Sequence, residues 1–146
     1  MNTQRVMQVT KAEFTTDARV TEKVELIKAI REGTIDKTTL QQVDLSGAIL
    51  SGVDLSGAKL SEAILNRANL SEAMLSGANL NGAILNGADL RGVKLSGADL
   101  SGTDLSGVNL SGANLSGVKL SRVNLSGANL NGVNLSGADV ENAIFE

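Results

Sequence analysis

From residue 43 onward, apolar residues recur along the chain with a period of five. The unit Val43-Asp44-Leu45-Ser46-Gly47 is followed by nineteen more, to residue 142, and the third residue is leucine in nineteen of these twenty units. The first residue is Ala, Val or, once, Thr. Residues two apart in an extended backbone point to the same side. The pattern therefore predicts a very short strand in each unit, with its first and third residues facing a core.

The last two residues of each unit predict a turn. They are mostly Ser-Gly or Asn-Gly, and Gly fills the fifth position in fifteen of the twenty units. In the turn that starts at Leu45, Gly47 supplies the positive φ that a type II turn requires. A corner of about 90° after every unit closes a square after four units, and the chain then rises by one strand spacing, about 4.8 Å. Leucines twenty residues apart are expected to stack in buried columns, one of which is Leu45, Leu65, Leu85, Leu105 and Leu125.

The repeat resembles the A-(D/N)-L-X-X motif of the pentapeptide-repeat protein family. Ala68-Asn69-Leu70 is one match among many, and the resemblance covers residues 43–142. It implies an all-β solenoid, a right-handed quadrilateral β-helix of about five coils with four pentapeptides each. Because the family is especially numerous in cyanobacteria, it also implies a cyanobacterial or other bacterial origin. The period of five does not fit leucine-rich repeats, which have periods of 20–29 residues, or hexapeptide β-helices.

Residues 1–37 lack the repeat and residues 38–146 carry it, so the chain divides there. Asp17 is the expected N-cap of a helix, and Gly33 occupies the place of a glycine that ends one. An amphipathic helix is predicted over about 18–32, as a cap on the open end of the solenoid, with a partner-binding helix as the alternative. Residues 1–15 are too polar to assign. Most apolar residues of the helix share one stripe: Val20, Val24, Ile27 and Ile30, with Leu26 beside it.

Composition excludes several classes of function. The chain has 13 basic and 16 acidic residues, net charge −3, which favours neither a nucleic-acid-binding surface nor an acidic tail. Without His or Cys it has no side chain that normally titrates near neutrality, no catalytic triad and no thiolate. The phosphate-binding glycine motif is missing, and the Asp residues are spread over separate faces, which is poor for calcium. We expect no enzymatic activity, no cofactor and no bound metal.

The sequence also predicts no association with membranes. Nowhere do eighteen apolar residues run together, and the first residues contain no apolar run of signal-peptide length. We therefore expect a cytoplasmic protein.

Interchangeable units specify the fold, so the candidate site consists of departures from the repeat. Glu62, Arg67 and Glu72 replace Gly at the fifth position of three successive units, on three consecutive corners of the solenoid. Because a non-glycine residue disfavours positive φ, a local change of turn type is expected there. Ile64 and Ile84 replace a polar residue at the outward second position and are expected to stack, with Met74 on the opposite face. The candidate partner contact consists of Glu62, Ile64, Arg67, Glu72 and Ile84, without Met74. The alternatives are a solvated charged belt and an isoleucine pair that is inert or covered by residues 1–17.

The other outward positions are interpreted as stacking. Asn109 is expected to hydrogen-bond to Asn129 in the next coil, and Asn114 to Asn134. Phe145 occupies a leucine position at the start of a sixth coil and is expected to plug the column there. Because the backbone of the last coil is expected to remain unpaired, the chain is predicted to be a monomer or to pair end to end with a second copy.

Two functions follow from the resemblance. The first is a non-enzymatic, rigid protein–protein interaction scaffold or regulatory adaptor. The alternative comes from a branch of the family that mimics duplex DNA, binds DNA gyrase and gives fluoroquinolone resistance. Five coils make a rod of about 25 Å, and duplex DNA of that length carries about 15 negative charges. Residues 43–146 hold ten acidic and six basic side chains, and no dimerisation module of the kind typical of the mimics is predicted. We therefore prefer the scaffold.

Overall fold

The computed structural model describes residues 18–146, which form an α-helix followed by a β-solenoid. Helix α1 spans Arg19–Glu32, and a short 3₁₀ helix spans Lys37–Thr39. In the solenoid, each strand is a single residue in a parallel β-bridge with the residue twenty positions later, from Asp44↔Ile64 to Asn124↔Ile144. Four units of five residues therefore make one coil, and the second-position residues form four flat faces.

The backbone N–H groups of a regular unit are satisfied in a fixed way. The first N–H closes the preceding turn, the second donates to the coil below, and the third and fifth donate to the coil above, as Leu115 N–H does to the Asn134 C=O at 2.7 Å. The fourth N–H donates to the side chain of an Asp or Asn two residues earlier, as Ser116 N–H does to Asn114 Oδ1 at 3.0 Å. The bridges between residues twenty positions apart therefore fix the register along the solenoid. The third and fifth N–H groups of the Ile84 unit, on Leu85 and Gly87, have no backbone acceptor among the described residues.

Leucine columns fill the interior of the solenoid. Ala and Val at the first position pack between the leucines, so the core needs no aromatic residue. Thr103 is the one buried polar residue in the described part of the chain, and its Oγ1 donates to the Leu100 C=O at 2.7 Å. The structure places the following leucines in one column, each with 0 or 1% of its surface exposed: Leu45, Leu65, Leu85, Leu105 and Leu125.

All corners of the solenoid keep one kind of turn, including those without glycine. Glu62, Arg67 and Glu72 have φ of 58°, 61° and 60°, close to the 69° of Gly47. The Ala63 N–H donates to the Leu60 C=O at 3.0 Å, which closes the turn around Glu62. The expected change of turn type is therefore wrong. The N–H of each charged residue donates to the coil above at 2.9 Å, and this pairing outweighs the intrinsic preference for negative φ.

Helix α1 ends at Gly33 as predicted. Gly33 has φ 76°, its N–H donates to the Ile30 C=O at 3.2 Å, and the Thr34 N–H donates to the Ala29 C=O at 2.9 Å. These two bonds form a Schellman motif, which turns the chain toward the first coil. At the other end, the cap predicted at Asp17 lies outside the described residues.

Only the C-terminal half of α1 buries apolar side chains against the solenoid. Ile30 is 2% exposed, and Leu26 and Ile27 are partly buried against the core. Val20 and Val24 are 64% and 57% exposed, so their predicted place on the buried stripe is wrong. The N-terminal half of α1 reaches the first coil through a polar side chain, since Lys23 Nζ donates to Ser46 Oγ at 2.9 Å.

Candidate protein-binding surface

Four of the five candidate residues lie together on one face of the solenoid, which we call the isoleucine face. Ile64 and Ile84 are bridged to each other, and Ile84 is 45% exposed. Glu62 and Arg67 occupy the corners on either side of Ile64, whereas Glu72 lies one corner further round. The second-position residues of the isoleucine face, from the first coil upward, are Asp44, Ile64, Ile84, Asp104, Asn124 and Ile144.

The three charged corner residues cover glycines of the next coil. A Cβ atom added to Gly82 would lie 3.4 Å from Glu62 Cγ, and one added to Gly87 would lie 3.4 Å from Arg67 Cγ. At Gly92 an added Cβ would overlap the Glu72 carboxylate. A long side chain at one corner therefore lies over the bare backbone of the corner above it. The glycine twenty residues after each charged corner is the sequence signal of this arrangement.

Asp and Asn at the second position cap the turns, a role that our sequence reasoning missed. All thirteen of these side chains accept a hydrogen bond from the N–H two residues later, with N···O distances of 2.9–3.2 Å. Asn109 Oδ1 thus accepts from Ser111, so the bonds expected between Asn residues of neighbouring coils are wrong. The signal was available, because Asp or Asn two residues before the first central residue of a turn is the pattern of an Asx-turn.

Seven units lack this cap because their second residue is Ile, Met or Lys, which offer no acceptor. The fourth N–H of these units has no acceptor among the described residues. Asn66 and Asn86 carry two of these seven N–H groups. They belong to the units of Ile64 and Ile84 and therefore lie one above the other. The complete set is Ser51, Ser61, Asn66, Ser76, Asn86, Ser96 and Ser121.

Both acidic neighbours of the isoleucine pair are bonded within the protein. The Ser46 hydroxyl and N–H hold the pKa of Asp44 below its usual value, and Lys23 lies 3.4 Å from its carboxylate. The hydroxyl and N–H of Ser106 likewise lower the pKa of Asp104, and the Asn86 side chain acts in the same direction. Both carboxylates are therefore ionised at neutral pH and already engaged.

Arg67 forms no ion pair with any group in residues 18–146. The ion pairs in this part of the chain are Lys23–Asp44, Lys37–Asp54 and Arg91–Asp89, the last at 2.6 Å. Within residues 18–146, the isoleucine face thus combines exposed apolar surface, one guanidinium outside any ion pair and two N–H donors without acceptors.

The last coil exposes the end of the core, which we call the open end. Phe145 is 44% exposed and Val140 is 42% exposed, while Leu130 and Leu135 are only partly buried. The N–H groups of these four residues have no acceptor among the described residues. Phe145 therefore covers the leucine column incompletely in the single chain.

The structure offers no arrangement suited to metal binding in residues 18–146. No group of three or more Asp, Glu, His or Cys residues there is placed to hold a metal ion. Nor is any helix in this part of the chain long and apolar enough to cross a membrane.

The period of five and the coil geometry agree with a known family. The family model for Pentapeptide repeats matches residues 38–77, 73–112 and 109–146. The chain belongs to the pentapeptide repeat family. Members of this family fold as right-handed quadrilateral β-helices, which gives the handedness of the solenoid, and they are generally structural or interaction proteins rather than enzymes.

Several solved pentapeptide repeat proteins are similar to the chain. One from the thylakoid lumen of Arabidopsis thaliana is 31% identical over 77% of this chain and 68% of its own, with a TM-score of 0.48. Another, from Nostoc, is 34% identical over 80% of this chain and 94% of its own, with a TM-score of 0.41. HetL, a pentapeptide repeat protein involved in heterocyst differentiation regulation in Nostoc, is 34% identical over 69% of this chain and 63% of its own, with a TM-score of 0.28. No curated protein sequence matches the chain.

Proposed function

We propose that this pentapeptide repeat protein is a non-enzymatic interaction scaffold or regulatory adaptor. Its partner is another protein, which binds the surface formed by Glu62, Ile64, Arg67, Glu72 and Ile84. The observation that carries the proposal is the clustering of three kinds of departure in neighbouring coils: charged residues at left-handed corners, outward isoleucines and uncapped N–H groups. Each kind occurs elsewhere, but they coincide at this face.

The departures are unfavourable for the fold itself, which supports a role in binding. A non-glycine residue in the left-handed region costs about 1–2 kcal/mol. A missing hydrogen bond to the fourth N–H forgoes about 0.5–1.5 kcal/mol. Gln42, Arg122 and Asn142 also have positive φ, but only Glu62, Arg67 and Glu72 occupy three consecutive corners. A solvated charged belt for solubility requires no such coincidence with isoleucines.

Capture of the partner from the source cell's lysate tests this proposal. The bait is the wild-type chain, compared with the triple variant Ile64→Ser/Arg67→Ser/Ile84→Ser and with a control on the opposite face, Met74→Ser/Lys94→Ser. We expect a protein identified by mass spectrometry to bind wild type and control but not the triple variant, while circular dichroism is unchanged. A partner retained equally by all three baits would place the binding site elsewhere and overturn the proposal.

The face charges argue against the DNA-mimic alternative. A mimic of duplex DNA needs rows of negative charge, yet on no face of the described solenoid are two acidic second-position residues neighbours in adjacent coils. Asp89 is paired with Arg91 in its own unit, and Lys94 and Lys119 interrupt two of the other faces.

The open end supports a second proposal, end-to-end pairing with a second copy. A second open end would cover Val140 and Phe145 and supply acceptors to the unpaired N–H groups. Sedimentation equilibrium of the 146-residue chain should then give the mass of two chains, and Val140→Lys should give the mass of one. A wild-type monomer at concentrations up to about 100 μM, equivalent to a very weak contact, would refute the pairing.

A further inference from the structure

The two uncapped N–H groups of the isoleucine face are aligned donors that face outward. In the regular units the corresponding N–H points to the outward second-position side chain, at 2.9–3.2 Å from its oxygen. The units of Ile64 and Ile84 share the same left-handed corner, with φ of 61° at Arg67 and 71° at Gly87, and they are joined by the bridge between the two isoleucines and by the Arg67 N–H bond to the Asn86 C=O at 2.9 Å. The N–H groups of Asn66 and Asn86 therefore point outward, one strand spacing, about 4.8 Å, apart.

Arg67 adds a positive charge at the same corner. It directly follows Asn66, and its side chain rises over Gly87, next to Asn86. Arg67 forms no ion pair with an acidic residue in residues 18–146: Asp44 pairs with Lys23 and Asp89, on the adjoining face, with Arg91, while Asp104 accepts from Ser106 and keeps its charge. Glu62 lies across the face, on the opposite corner of the Ile64 unit.

This combination of groups selects a ligand of definite chemistry. Two N–H donors and a guanidinium are complementary to a carboxylate, with which such charge-assisted bonds are strongest. The neighbouring isoleucine pair is complementary to an apolar side chain. In every regular unit that contains Asp, a carboxylate of the chain itself already occupies this position relative to the N–H group.

We propose that the Asn66–Arg67–Asn86 corner binds the carboxylate of an Asp or Glu side chain of the partner protein, while an adjacent apolar side chain of the partner lies on Ile64 and Ile84. The partner carboxylate thereby provides the hydrogen-bond acceptor that the units of Ile64 and Ile84 lack. The inference rests on the proposed function and specifies its partner: a protein segment with an acidic residue next to an aliphatic one.

Titration of the ¹⁵N-labelled chain with a short peptide tests this inference. The probe is acetyl-Gly-Leu-Asp-Gly-amide, and its matched control carries Asn in place of Asp. We expect saturable shifts of the Asn66 and Asn86 amide signals with a Kd of about 1 mM, and binding at least about fivefold weaker for the Asn peptide. Arg67→Gln should weaken binding of the Asp peptide by a similar factor. Shifts that do not saturate, or that are equal for both peptides, would overturn the inference.

Two substitutions restore the missing cap within the chain and provide a sharper control. Ile84→Asn places an amide oxygen two residues before Asn86, so the Asn86 N–H is satisfied internally and its response to the peptide should be lost. Ile49→Asn does the same for Ser51 on a neighbouring face and should leave the peptide response unchanged. A full response in the Ile84→Asn variant would contradict the assigned site. If the peptide fails but partner capture still depends on Ile64, Arg67 and Ile84, the scaffold proposal stands and the carboxylate inference is wrong.

Discussion

Replacing Asn109 with Ala removes one turn cap and leaves the core untouched. The Asn109 side chain faces outward, and its Oδ1 accepts from the Ser111 N–H at 3.0 Å. A net hydrogen bond contributes about 0.5–1.5 kcal/mol, and the exposed N–H will bind water in the variant, so we expect a loss of about 1 kcal/mol. For a domain of this size that corresponds to a decrease in melting temperature of about 3 °C.

Urea unfolding followed by circular dichroism measures this loss, because the chain has no Trp or Tyr to report by fluorescence. Lys119→Ala is the matched control, since Lys119 occupies the same outward position and caps no turn. The midpoint should fall for Asn109→Ala and stay near wild type for the control, with unchanged slope. Amide hydrogen exchange at Ser111 should accelerate in the first variant only. Equal midpoints and equal exchange at Ser111 would show that the cap has no energetic role, and the argument for the uncapped donors at Asn66 and Asn86 would fail with it.

Three further substitutions test other parts of the structure. Arg67→Gly should raise the free energy of unfolding by up to about 1 kcal/mol, because glycine adopts the positive φ of this corner without the steric strain of an arginine. An unchanged or lower urea midpoint would show that Arg67 is not strained. Ile30→Ala should lower it by about 2–5 kcal/mol while Val24→Ala, on the exposed half of α1, changes it by less than about 0.5 kcal/mol; similar losses would refute the observed packing. The lowered pKa of Asp44 stabilises the fold fully above about pH 4, and this contribution is lost as the pH falls through the lowered pKa. Since Asp44→Asn keeps the acceptor, its urea midpoint should fall less than that of wild type between pH 5 and pH 3, and parallel pH profiles would count against this assignment.

Much of the solenoid could be predicted because its geometry is repeated. Each leucine column is specified by the five-residue spacing alone, and the end of α1 by one residue, Gly33. The predicted stack of Ile64 on Ile84 followed from the same register. What failed was prediction from single residues. The expected change of turn type at Glu62 ignored the bond from the Glu62 N–H to the coil above. The apolar stripe of the helix included Val20 and did not show which half of the helix packs against the first coil.

The role of the outward Asp and Asn residues was missed for a different reason. Solubility alone is a sufficient reason for a polar residue on a solvated face, so the outward position of Asn109 does not by itself indicate that it also caps a turn. The N–H that it caps becomes visible only when every backbone donor of a unit is accounted for. The same accounting distinguishes Ile84 from an ordinary exposed apolar residue, because isoleucine at this position leaves the Asn86 N–H without an acceptor among the described residues.

The position of the candidate surface within the solenoid follows from these bonds. The N–H groups of Glu62, Arg67 and Glu72 all donate to the coil above at 2.9 Å, and this pairing holds each residue at positive φ. Asn142 has φ 60° although its N–H has no acceptor among the described residues, because asparagine tolerates the left-handed conformation better than Glu or Arg. Glu62, Arg67 and Glu72 therefore depend on the coil above them, which accepts their N–H bonds at Asn81, Asn86 and Arg91. The Arg67 N–H bond to the Asn86 C=O also joins the two units that carry the Asn66 and Asn86 donors, which favours binding of a partner carboxylate because less ordering of the scaffold is needed.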